Sequence, residues 1–126
     1  MGIDAKGLVL MNKENGILTH ELGSFPIHDG MEFIFKAYVE DEKVKLYLTT
    51  DSDVSDEEYN EVFDEYETEE LETKGFQVEE VEDEFNPVWC YLFDYKEEYS
   101  ENEEAINFAL DYHKNQIQTI FEKIRA

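Results

Sequence analysis

Cysteine, proline, glycine and positive charge are all scarce in this chain. It has one Cys, two Pro, six Gly and ten Lys or Arg, set against 33 Asp or Glu, in 126 residues. A lone cysteine cannot close an intramolecular disulfide and fits a reducing compartment such as the cytoplasm. One Cys with three scattered His cannot supply zinc ligands at a recognisable spacing. Six glycines build no Gly-rich phosphate loop. The longest apolar run, Val88-Trp89-Cys90-Tyr91-Leu92-Phe93, is far short of the ~20 residues a membrane helix needs. Met1-Gly2-Ile3-Asp4-Ala5-Lys6 offers no apolar stretch of signal-peptide length, and Lys6 stands where a myristoylation pattern wants Ser or Thr.

Apolar material is nevertheless plentiful. Hydrophobic residues make up 41% of the chain and aromatics 14%, whereas an acidic disordered chain is poor in aromatics. The length suits one domain, residues 1–126, around one core.

The first third reads as β-structure. Residues 7–11 and 17–22 flank Asn12-Lys13-Glu14-Asn15-Gly16, where Asn-Gly supplies the positive φ angles of a tight hairpin. After a loop at 23–30, Met31 to Glu40 alternates, with Met31, Phe33, Phe35, Ala37 and Val39 on one side. Asp41-Glu42-Lys43 turns the chain into Val44 to Thr50, where Val44, Leu46 and Leu48 share a face. A helix follows. Ser55 and Glu58 form a capping box, and Tyr59, Val62, Phe63 and Tyr66 make its apolar stripe. Strands at 76–81 and 88–95 come next, the first with a bulge at Glu79-Glu80. The second is apolar on both sides, Val88, Cys90 and Leu92 against Trp89, Tyr91, Phe93 and Tyr95, the pattern of a strand covered twice. Ser100 and Glu103 predict a capped helix over 101–124, with the stripe Ile106, Ala109, Leu110, His113, Ile117, Ile120, Phe121 and Ile124. The order ββββαββα predicts an α+β fold, an antiparallel sheet of five or six strands with two helices packed on it.

Chemistry-bearing residues are few. His20 alternates with Leu18 and Leu22, and His113 lies in the last helix's stripe, so both are expected to be buried structural histidines without an orienting group for base catalysis; His28 falls in a loop. Cys90, between Trp89 and Tyr91, lacks the electropositive setting that activates a thiol. Asp51-x-Asp53-x-Ser55 resembles the start of a calcium loop, but Asp56 replaces the glycine and Val62 the bidentate glutamate. No catalytic motif, cofactor site or metal site is indicated.

The charge is distributed unevenly. Residues 51–104 hold 23 of the 33 acids against two bases, Lys74 and Lys96, a net of −21, which leaves −2 for the rest of the chain. A block of this sign favours a basic partner and repels nucleic acid and anionic membrane. The reading is a non-enzymatic binding or regulatory domain that docks a basic protein through Glu57, Glu58, Glu61, Asp64 and Glu65. The alternatives are a DNA mimic, with Glu57, Glu61 and Glu65 rising ~6 Å apart on one helix face, or an enzyme of unrecognised type. If the helices leave the aromatic row of Trp89, Tyr91, Phe93 and Tyr95 uncovered, that row is expected to serve a homodimer or a partner.

Overall fold

The computed structural model describes residues 7–125; the reading of Met1–Lys6 therefore lies outside the described residues. The chain folds as a six-stranded sheet with β1 (Gly7–Glu14), β2 (Ile17–Pro26), β3 (Ile34–Glu40), β4 (Lys43–Thr49), β5 (Gln77–Val81) and β6 (Val88–Asp94). Three α-helices accompany it, α1 (Asp56–Glu65), α2 (Glu69–Thr73) and α3 (Tyr99–Ile124), with a 3₁₀ turn at Met31–Phe33. The strand order is β2-β1-β3-β4-β6-β5. Every pairing is antiparallel except β1 with β3, a parallel junction at Asn12 and Val39. The expected α+β class and strand sequence are thus present, with one short extra helix, α2.

The period-two and period-3.6 patterns explain the core. Val44, Leu46 and Leu48 are all fully buried and face Trp89, Tyr91 and Phe93 in the adjacent strand. Val62 and Phe63 of α1 and Ile106, Ala109, Leu110, His113, Ile117 and Ile120 of α3 close over that row. The aromatic row of β6 therefore lies beneath the helices. Phe63 and Tyr66 pack on Trp89, with ring centroids 5.1 and 4.2 Å away. It is not available to a second copy or a partner.

The opposite side of the sheet has no helix among the described residues. Val88 and Cys90 are still buried there. Tyr47, paired with Cys90 across the strands, helps cover them, and its hydroxyl meets that of Tyr38 at 3.2 Å. Lys13 and Lys36 lie over Tyr38 and Tyr47, 4.3 and 4.7 Å from the ring centroids. Long amphipathic side chains thus do the covering that a second helical layer does elsewhere.

Four local expectations are corrected. The alternation from Met31 fails because Met31–Phe33 forms the 3₁₀ turn and the β3–β4 register shifts between Ile34 and Lys36, which turns Phe35 out to solvent. His20 is exposed rather than on a buried face. The β1–β2 register slips on both sides of Met11, and the hairpin end carries Ile17 and Leu18 into solvent with it. The strand at 76–81 begins at Gln77 and pairs with β6 without a register shift, so no bulge forms at Glu79-Glu80. The last helix starts at Tyr99 without a side-chain cap, not at a Ser100 box. Buried Asn102 supplies the anchor instead, accepting from the Lys96 amide at 2.8 Å and donating to the Lys96 carbonyl at 2.9 Å. Tyr99 stacks on Phe25 with centroids 4.5 Å apart, and its hydroxyl donates to the Ser24 carbonyl.

Candidate functional site

The capping box at the start of α1 forms as the sequence predicts. The Glu58 amide donates to the Ser55 hydroxyl at 3.2 Å, and the Ser55 amide donates to the Glu58 carboxylate at 2.9 Å. This fixes where each α1 carboxylate points. Glu57, Glu61 and Asp64 are exposed, on the side away from Val62 and Phe63. Glu58 and Glu65 are half-buried and turned toward the end of α3. Arg125 donates to both Glu58 oxygens at 2.8 and 3.2 Å, and Lys123 donates to Glu65 at 2.6 Å. The Arg125 guanidinium and then the Ser55 amide hold the Glu58 carboxyl down at about 2. Two of the five acids therefore lock α1 to α3, and three face outward.

Further acids join the outward three. Tyr59 donates from α1 to the carbonyls of Glu82 and Glu84 at 2.8 and 3.2 Å, which brings residues 82–84 alongside the helix. Partial desolvation, followed by the neighbouring Glu82 and Asp64 charges, raises the Glu80 carboxyl, although its side chain still reaches solvent. Asp64, Glu80 and Glu82 thus crowd one another, and none has a cation within ion-pair distance among the described residues. The acids at 97–104 do not belong to this surface. They start α3, while Arg125 at its other end contacts Glu58 and Ser52; a 26-residue helix separates its ends by about 38 Å.

His113 is fully buried and its neighbours define its state. Nε2 lies 2.6 Å from the Thr49 carbonyl, which can only accept, so Nε2 carries the proton. Nδ1 then accepts from the Tyr66 hydroxyl at 2.7 Å, and the Tyr66 oxygen accepts from Tyr91. Burial lowers His113 to about 4 and raises Tyr66 and Tyr91 above the ordinary phenol range. The chain of donors ends at a backbone carbonyl beneath the helices, which makes it a structural network. Burial likewise raises the Cys90 thiol, the opposite of what a nucleophile needs. His28 fastens its loop to α3, its amide donating to Asn107 at 2.9 Å and its ring lying 3.3 Å from Glu103. No group of three or more potential metal ligands occurs among the described residues, and no helix there is long and apolar enough to cross a membrane.

The geometry defines an α+β domain with helices layered on one sheet face and unneutralised acids gathered where α1 meets the 80–84 segment. The chain belongs to DUF6762, a family of unknown function whose model matches residues 3–126. No curated protein and no solved structure matches it.

Proposed function

We propose that this chain is a non-enzymatic binding or regulatory domain that docks a basic protein on the surface formed by Glu57, Glu61 and Asp64 with Glu80 and Glu82. The observation that supports this reading is the crowding of Asp64, Glu80 and Glu82. Partial desolvation and then the Glu82 and Asp64 charges raise the Glu80 carboxyl, and a cationic partner relieves the repulsive part. The chain's own cations are spent elsewhere, Arg125 and Lys123 on Glu58 and Glu65. A DNA mimic is the second reading, and it is the weaker one. Lys123 neutralises Glu65, which leaves only Glu57 and Glu61 of the phosphate-like row.

The test is affinity capture from host lysate by the parent chain and by Glu57→Lys/Glu61→Lys/Asp64→Lys, followed by rebinding of the purified partner. A basic protein that binds the parent, is lost from the triple variant and dissociates steeply with salt supports docking. Displacement of that protein by duplex DNA favours the mimic. Equal capture by both chains at matched circular dichroism defeats both readings.

A further inference from the structure

The two bases of the acidic stretch do not neutralise the acidic helices. Lys74 and Lys96, 22 positions apart in the chain, line the same cavity of about 360 Å³, together with Phe76, Phe93, Ala105 and Phe108. Its floor is aromatic: Phe76 and Phe93 are buried and meet at 5.0 Å, and Phe108 stacks on Phe76 at 5.7 Å. Gly75, at φ +91°, makes the turn that sets Lys74 and Phe76 at one wall. Both lysines reach solvent, so they stand at the mouth while the rings lie below.

Two carboxylates also line this cavity, Asp94 and Glu104. Asp94 is already held by Lys43, with Lys96 only loosely associated at 3.9 Å. Lys74 has no ion pair among the described residues; its ammonium lies 5.9 Å from the Phe108 ring centroid. The lining itself balances two ammonium groups, Lys74 and Lys96, against two carboxylates, Asp94 and Glu104, beside an apolar floor. With Asp94 taken by Lys43 from outside the lining, Lys74 keeps no carboxylate within ion-pair distance among the described residues. That balance contrasts with the rest of a chain whose net charge is −23. The aromatic floor and the unpaired Lys74 at its edge suit a small molecule with an apolar body and one negative end. The volume lies within the range of ligand pockets, ~300–1,000 Å³.

We infer that this cavity is a binding site for a small amphipathic carboxylate, its apolar body on Phe76, Phe93 and Phe108 and its carboxylate between Lys74 and Lys96. The inference is independent of the acidic docking surface, which shares none of these residues.

A sign test decides it, because a chain of charge −23 as a whole attracts cations. The full-length ¹⁵N-labelled chain is titrated with 4-phenylbutyrate, its neutral amide and 4-phenylbutylamine, which share one apolar body. Saturable amide shifts at Lys74, Gly75, Lys96, Ala105 and Phe108 are expected, with the carboxylate bound roughly tenfold tighter than the amide (about 1.4 kcal/mol) and the amine weakest. Lys74→Gln/Lys96→Gln is expected to abolish that preference, while Lys36→Gln, on the open sheet face, keeps it. The inference is overturned if the amine binds as tightly as the carboxylate, if the double variant binds the carboxylate unchanged, or if no saturation occurs by about 10 mM.

Discussion

His113 shows how one buried side chain ties stability to pH. The ring touches α1's end through Tyr66, β4 through the Thr49 carbonyl and the aromatic floor through Phe33 and Trp89. Protonation would place a second hydrogen on Nδ1, facing a hydroxyl that already donates to it, in a site without water access. Its folded value of about 4 lies below the ordinary 6.5. Between those values the unfolded chain binds the proton and the folded chain does not, so stability is full above pH 6.5 and falls as the pH drops toward 4. The accumulated loss is about 3 kcal/mol. His113→Gln keeps a donor and an acceptor but cannot titrate. Chemical denaturation should therefore show the variant less stable than the parent at pH 7.5, with the gap narrowing by about that amount at pH 4. A constant gap would mean that His113 is not the titrating group. Trp89 stands beside it with a different problem, since its indole N–H has no acceptor among the described residues. Such an orphan donor costs ~1–3 kcal/mol, and the stacked Tyr66 ring contributes packing against it.

At the level of elements, the two tight hairpins contrast. Asn15-Gly16 takes φ values of +52° and +82°, the pair of residues best suited to them. Asp41-Glu42 takes +53° and +64°, where Asp is tolerated at the first position but Glu is ill suited to the second, and the left-handed region costs an ordinary L-residue ~1–2 kcal/mol. The turn persists because the strands around it are fixed: Lys43 pairs with Asp94 and the Tyr95 amide donates to the Glu42 carbonyl at 3.0 Å. Asp41→Asn/Glu42→Gly should raise stability by about 1 kcal/mol, read as a higher Tm with unchanged circular dichroism. An unchanged or lower Tm would show that the unfolded chain gains as much freedom from the glycine as the turn gains in relief. The same contrast marks what was legible in advance. β4, β6, α1 and the body of α3 follow from side-chain periodicity and a local cap, both of which act between near neighbours. The register shifts at Met11 and Phe35, the parallel junction at Asn12 and the early start of α3 depend on Asn102, Phe25 and strands far away in sequence. The acidic residues were visible as a block. Which of them remain free was not, because Arg125 and Lys123 reach Glu58 and Glu65 across about 60 positions of chain.

For the whole molecule, self-repulsion among the acids competes with a small set of ion pairs. Six of the nine described Lys and Arg side chains sit in carboxylate ion pairs, Lys43, Lys45, Lys96, Lys114, Lys123 and Arg125. The other three, Lys13, Lys36 and Lys74, lie over aromatic rings. With ten bases against 33 acids, the net charge of −23 leaves most carboxylates without a cation. Salt acts on both parts in opposite directions: it weakens the ion pairs and it screens the repulsion. Exposed pairs contribute little individually, whereas the repulsion sums over every pair of acids closer than a Debye length, which shrinks from ~30 Å at 0.01 M salt to ~3 Å at 1 M. Screening should win, and Tm should climb with added NaCl. Glu57→Lys/Glu61→Lys/Asp64→Lys moves the net charge from −23 to −17 at three exposed positions on a helix whose buried side is untouched. At low salt it should melt higher than the parent. The two curves should converge near 1 M, where the charges no longer sense one another. A parent Tm that falls with salt would mean that the ion pairs at the ends of α3 outweigh the repulsion. A variant that melts lower at every salt concentration would mean that Glu57, Glu61 or Asp64 makes a stabilising contact within the domain, and the surface would then be structural rather than free for a partner.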